Sequence, residues 1–218
     1  MGIPPTNARQ ARQENDMTTL YRDSRRISLN AAAAVAAAAL TIVVPRADAQ
    51  VIQVPANIEV PAGNTAFFIG HAYGTQDYIC LQGRGGFEWT FFGPQATLFG
   101  ADGQQAITHF LSANPDENGT PRATWQHSQD SSAVWAVAAA SSIDSRFVAP
   151  NAVPWLLLRV VGADEGTTIG GALTDTTFVQ RVNTRGGLVP SSGCGNAADT
   201  GRKQLVPYTA DYVFYRED

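Results

Sequence analysis

From Thr75 to Phe92 the chain reads TQDYICLQGRGGFEWTFF. Tyr78 and Cys80 alternate with Asp77, Ile79 and Leu81, and Phe87, Trp89 and Phe91 share one face. A period of two belongs to an extended strand, whose successive side chains point to opposite sides. The Gly-Arg-Gly-Gly between the runs supplies residues that accept positive φ, so the chain turns there. This pattern constrains the fold most, because nothing after residue 50 replaces it with a helical period.

Further runs of the same kind follow. GPQATLFGADGQ reads as a turn at Gly93-Pro94, a short strand, and a turn at Asp102-Gly103. AITHFL is another short strand, and SANPDENGTPR is a plain loop rich in Asn, Asp, Pro and Gly. ATWQHSQDSSAVWAVAAAS sets two tryptophans around a polar turn, as in a hairpin. VPWLLLRVVG is almost continuously apolar and reads as a central strand covered on both faces. GGALTDTTFVQRVNT and YTADYVFYRED are strands too; the second places Tyr208, Ala210, Tyr212 and Phe214 on one face. VIQVPANIEVPAG, with its two prolines, is an extended arm or an edge strand. The expectation is an all-β, single-domain antiparallel β-sandwich or barrel over residues 50–218.

Residues 1–49 read differently. Arg22, Arg25 and Arg26 form a basic region, Ala31 to Val44 is apolar, and Ala47-Asp48-Ala49 is a small-residue cleavage site. The apolar stretch is short for a spanning helix. Together these are the parts of a signal peptide, with Met17 as the start and Gln50 as the first mature residue. Ser24, Arg25, Arg26 and Leu29 also match a twin-arginine export motif, whereas Ser28 and Asn30 depart from it. The expected localisation is exported, periplasmic or extracellular.

Residues 50–218 keep 9 of the 15 Lys/Arg and 15 of the 19 Asp/Glu, a net charge of −6, and hold a single lysine, Lys203. Such a surface repels phosphate backbones and anionic lipid, so nucleic acid is not an expected partner. Cys80 and Cys194 are the two cysteines. In an oxidising compartment an even pair reads as one disulfide. No transmembrane span is expected in the mature chain.

The pieces GTQDYICL, WTFFGPQATLF, ITHF, VPWLLLRVVG, FVQRVNTRGGLVPSSGC and VPYTADYVFY occur in this order. The chain resembles a secreted family of bacteria and fungi catalogued as domain of unknown function 3455, over nearly the whole mature region. Trp155–Leu158, Gln180–Gly187 and Ala210–Tyr215 carry the most specific matches. Ala123-Thr124-Trp125-Gln126 and Asp130-Ser131-Ser132 stand where the family has Pro-Thr-Trp-Glu and Asp-Gly-Ser. The resemblance implies a fold and a compartment, but no activity.

No glycine motif for nucleotides, no zinc spacing and no nucleophile elbow occurs. Asn118-Gly119-Thr120 matches a glycosylation acceptor, which has meaning only in a eukaryotic secretory route. His109, His127 and Asp130 could meet as an acid/base or metal set, although a strand histidine bonded to a neighbour is the commoner state. Flat rings suit a small-molecule or carbohydrate platform. Trp125 is the best candidate, whereas Trp155 belongs in the core. The expected ligand groove comprises Tyr78, His109, Trp125, His127, Asp130 and Arg181, with Arg181 paired to a carboxylate such as Asp211. A binding or envelope-associated module without cofactor or metal is the first reading. A small hydrolase or metal-dependent enzyme using His109, His127 and Asp130, and a structural coat protein, are the alternatives.

Overall fold

The computed structural model describes residues 52–167 and 170–218. The expected signal peptide over residues 1–49 and the expected export motif lie outside the described residues. Eight strands follow in chain order: β1 Asn64–Gly83, β2 Gly86–Phe99, β3 Gln105–Asn114, β4 Thr120–His127, β5 Ala133–Ser142, β6 Trp155–Asp164, β7 Thr176–Gly186 and β8 Lys203–Glu217. Each pairs antiparallel with the next, and β8 returns to β1, closing a barrel. The choice between sandwich and barrel is thereby settled. Closure removes the open edges at which a sheet would otherwise recruit another chain.

The period of two decides what fills the barrel. Tyr208, Ala210, Tyr212 and Phe214 of β8 point inward and join Ala72, Leu98, Ile107, Trp125, Leu158 and Val179 in one core. Burying a ring such as Phe214 contributes about 2–3 kcal/mol. The alternate residues Trp155 and Leu157 of β6, Val182 of β7 and Val213 of β8 face outward, yet they too are buried. Ile58, Val148 and Ala152 cover them. Strand β6 is therefore apolar on both faces for the reason its unbroken hydrophobic run suggests. The arm before β1 is not an edge strand. It makes a 3-10 turn at Ala56–Ile58 and lies on the outer wall, where Gln180 Nε2 donates to Ile58 O (2.7 Å) and Asn57 Nδ2 donates to Ser141 O (2.7 Å).

Two local expectations are corrected. Gly93-Pro94 is no turn, because β2 runs straight through it. The β1–β2 register slips between Asp77 and Tyr78, opposite this pair, as a β-bulge. A bulge tolerates the missing proline N–H, and Gly93 takes φ 157° there. SANPDENGTPR is mostly strand: β3 extends to Asn114 and β4 starts at Thr120. Only Pro115–Glu117 forms a 3-10 turn, with the Asn114 side chain accepting from Asp116 N (3.1 Å). Asn118 closes it in the left-handed region, a conformation its short polar side chain tolerates.

The connections alternate between the two barrel ends. One end carries the β1–β2, β3–β4, β5–β6 and β7–β8 loops; the Cys80–Cys194 disulfide lies there, with Cα atoms 5.5 Å apart. Gly186 and Gly187, at φ 68° and 81°, let the chain leave β7 as expected. The opposite end is stoppered by Leu173 of the β6–β7 loop, which is buried in the barrel core. Among the described residues no helix is long and apolar enough to cross a membrane.

Candidate functional site

Near the disulfide end the packing leaves a cavity of about 190 Å³, to which all eight strands contribute. Its space comes from small inward residues. Ala123 of β4 and Ala136 and Ala138 of β5 stand where larger side chains would fill the lumen. Leu156 and Leu158 complete that wall. The β2–β3 ladder reaches only from Phe99↔Gln105 to Ala96↔His109. Beyond it the rim is formed by Phe91, Leu111 and Ala138, all exposed.

Across from the alanines lie the aromatic and polar groups. Trp125 is 0% exposed, with its ring stacked on His109 at 4.3 Å and 9°. The Tyr212 ring meets both edge-on, 5.1 Å from His109 and 5.5 Å from Trp125. His109 Nδ1 lies 2.8 Å from Thr124 O. A carbonyl only accepts, so Nδ1 carries the proton and Nε2 the lone pair. Burial pushes the His109 pKa down to about 3; the bond to Thr124 opposes this and the nearby Arg181 charge reinforces it. The imidazole is neutral at ordinary pH.

Arg181 enters the cavity from β7 and is 9% exposed. Its expected pairing with Asp211 does not form. Arg181 lies on the inner face, and its Nε and Nη2 donate to Pro154 O (3.2 and 2.9 Å). Asp211 instead faces outward, where its two carboxylate oxygens meet His71 Nδ1 (2.7 Å) and Asn183 Nδ2 (2.7 Å). Alternation explains the error, since neighbouring positions on a strand address opposite faces. Tyr212 and Tyr208 share a hydrogen bond of 3.2 Å, and burial raises both phenols, against the pull of Arg181. Trp125 Nε1 is fully buried away from the cavity without a hydrogen-bond partner, and the Gln76 side chain engages Tyr208.

The six expected groove residues therefore divide. His109, Trp125 and Arg181 share the cavity, which is an interior lumen and not an open groove. Tyr78 packs behind the rim, its ring against Phe91 at 5.8 Å and its hydroxyl donating to Gly187 O (2.7 Å). His127 and Asp130 sit toward the stoppered end and bond each other at 2.9 Å. Asp130 Oδ1 also accepts from Ser132 N (2.9 Å) and Ser132 Oγ (2.7 Å), and Oδ2 accepts from Ala172 N (2.9 Å). Burial works to raise this carboxyl, but the bonds from Ala172 and Ser132 outweigh it and hold it far below the usual carboxylate range. Among the described residues no group of three His, Cys, Asp or Glu side chains is placed to hold a metal. The expectation missed Gln76 and Leu111. The alanines at alternate β5 positions and a charge in the inward register of β7 were the available signals.

Comparison with curated proteins finds no match, and comparison with solved structures finds none either. A family model described as "Protein of unknown function (DUF3455)" matches residues 61–216, which reach into all eight strands, and the chain belongs to that family.

Proposed function

We propose that this protein is an exported carrier or sensor that binds a small, largely apolar molecule in its barrel lumen. One observation carries the reading: a well-packed barrel keeps an apolar cavity of about 190 Å³, walled by Ala123, Ala136, Ala138, Leu156 and Leu158, that its own side chains leave unfilled. The volume favours a compact guest, since a dry cavity of about 150 Å³ accommodates benzene. A sugar fits less well, because each hydroxyl would need its own partner against alanine and leucine walls. The disulfide supports the exported compartment.

His109, His127 and Asp130 do not enter this reading as one chemical set, since the carboxylate and its histidine serve the opposite end of the barrel. The test is access. Ala138 lies on the rim, so Ala138→Trp should close the lumen while leaving the core intact. A small neutral aromatic such as benzyl alcohol should raise the Tm of the protein and not that of the variant. Equal shifts in both would overturn the proposal.

A further inference from the structure

Among the described residues no carboxylate lies within ion-pair distance of the Arg181 guanidinium: Asp211, on the neighbouring strand, faces outward to His71 and Asn183. A backbone carbonyl, Pro154 O, takes Nε and Nη2 from one side. The charge itself remains uncompensated and is felt by Tyr78, His109, Tyr208 and Tyr212 around the lumen. A cation taken out of water without an anion is costly, which is why buried charges are almost always paired. The neutral His109 adds no competing positive charge.

A site built around a buried guanidinium is complementary to an anion with planar oxygens. Arginine's fork matches a carboxylate geometrically, and such charge-assisted bonds are the strong ones. The remaining surface is apolar: Ala123, Ala136, Ala138, Leu156 and Leu158 face the Trp125–His109 stack. We infer that the lumen is a receptor for a small monocyclic carboxylic acid, its carboxylate on Arg181 and its ring in the apolar chamber. The inference rests on the lumen-binding reading above and adds the chemical class of the guest. It separates this class from fatty acids, whose chains exceed a chamber of about 190 Å³.

Benzoate and benzyl alcohol are suitable probes, because they share ring and size and differ in charge. Titration calorimetry on the protein at pH 7 should give benzoate the tighter binding by about ten- to a hundred-fold, the range for a hydrogen-bonded charge. Arg181→Met keeps the volume and removes the charge; it should abolish the preference while retaining benzyl alcohol binding. If Arg181→Met does not fold, the comparison of the two probes on the unaltered protein decides alone. Equal affinity for the two, or a preference that survives Arg181→Met, overturns the acid assignment and leaves lumen binding standing. Failure of both probes to bind overturns the acid assignment together with the reading on which it rests.

Discussion

His109 is held neutral by its surroundings, and that has a measurable consequence for stability. Its pKa falls from 6.5 to about 3 through burial beneath Trp125. The folded state thus refuses a proton that the unfolded chain accepts below about pH 6.5. Stability is fully present above that pH and drains as pH falls toward 3. The slope reaches about 1.4 kcal/mol per pH unit for one proton, so about 2 kcal/mol should vanish between pH 6.5 and 5. The strongly bonded carboxylates Glu117 and Asp144 titrate near 2 and stay ionised in this window. Urea denaturation at pH 7, 6 and 5 should therefore show a steeper loss for the unaltered protein than for His109→Phe. Parallel pH profiles would disprove a buried neutral histidine.

At the scale of elements, the β4–β5 turn acts as a clamp. Asp130 gathers bonds from Ser132 and from Ala172, and Ser132 Oγ accepts from Leu173 N (3.2 Å). The turn thereby seats the β6–β7 loop and its Leu173 stopper. Gly170 packs so closely that an added Cβ would lie 2.1 Å from Asp130 Cβ. Asp130→Ala orphans several donors at once, and should lower the unfolding free energy by about 2–4 kcal/mol in a denaturant titration. Ligand affinity at the other end should change by less than about threefold, because sites sharing no partners are nearly independent. A loss of binding larger than the loss of stability explains would give Asp130 back a place in the site. The sequence suggested the reverse role because a histidine, an acid and serines in one turn resemble chemistry. Only the partner loop, some forty residues later, reveals a structural task. Alternation, by contrast, was legible: the inward face of β8 and the doubly buried β6 follow directly from residue order. The depth of Trp125 was not, since a period of two assigns a face but cannot say whether that face looks into a lumen or out to water.

The whole molecule is held by one long-range seam. A barrel of sequential hairpins is local everywhere except where its last strand meets its first, here from Asn64↔Glu217 to Ile79↔Lys203. Non-local pairing forms late, because loop-closure entropy must be met before the contacts exist. The disulfide lies on this seam: Cys80 belongs to β1, and Cys194 sits in the connection that leads into β8. The backbone continues the ladder beside it, with Cys80 N donating to Arg202 O (2.9 Å) and Gly201 N donating to Cys80 O (2.9 Å). Trp89 Nε1 donates to Ser192 O (2.9 Å) and holds the same loop against β2. With the cysteines 114 positions apart in sequence, chain-entropy reasoning assigns the bridge about 4–5 kcal/mol. That value acts through the unfolded state, so the reduced protein should retain the barrel and its far-UV spectrum in the absence of denaturant. Its denaturation midpoint should fall sharply, and its refolding from denaturant should be slower than that of the oxidised form, because the seam must then be found by diffusion. Equal refolding rates with and without the bridge would show that β1 and β8 meet after the rate-limiting step, and an unchanged midpoint would remove the disulfide from the forces that close the barrel.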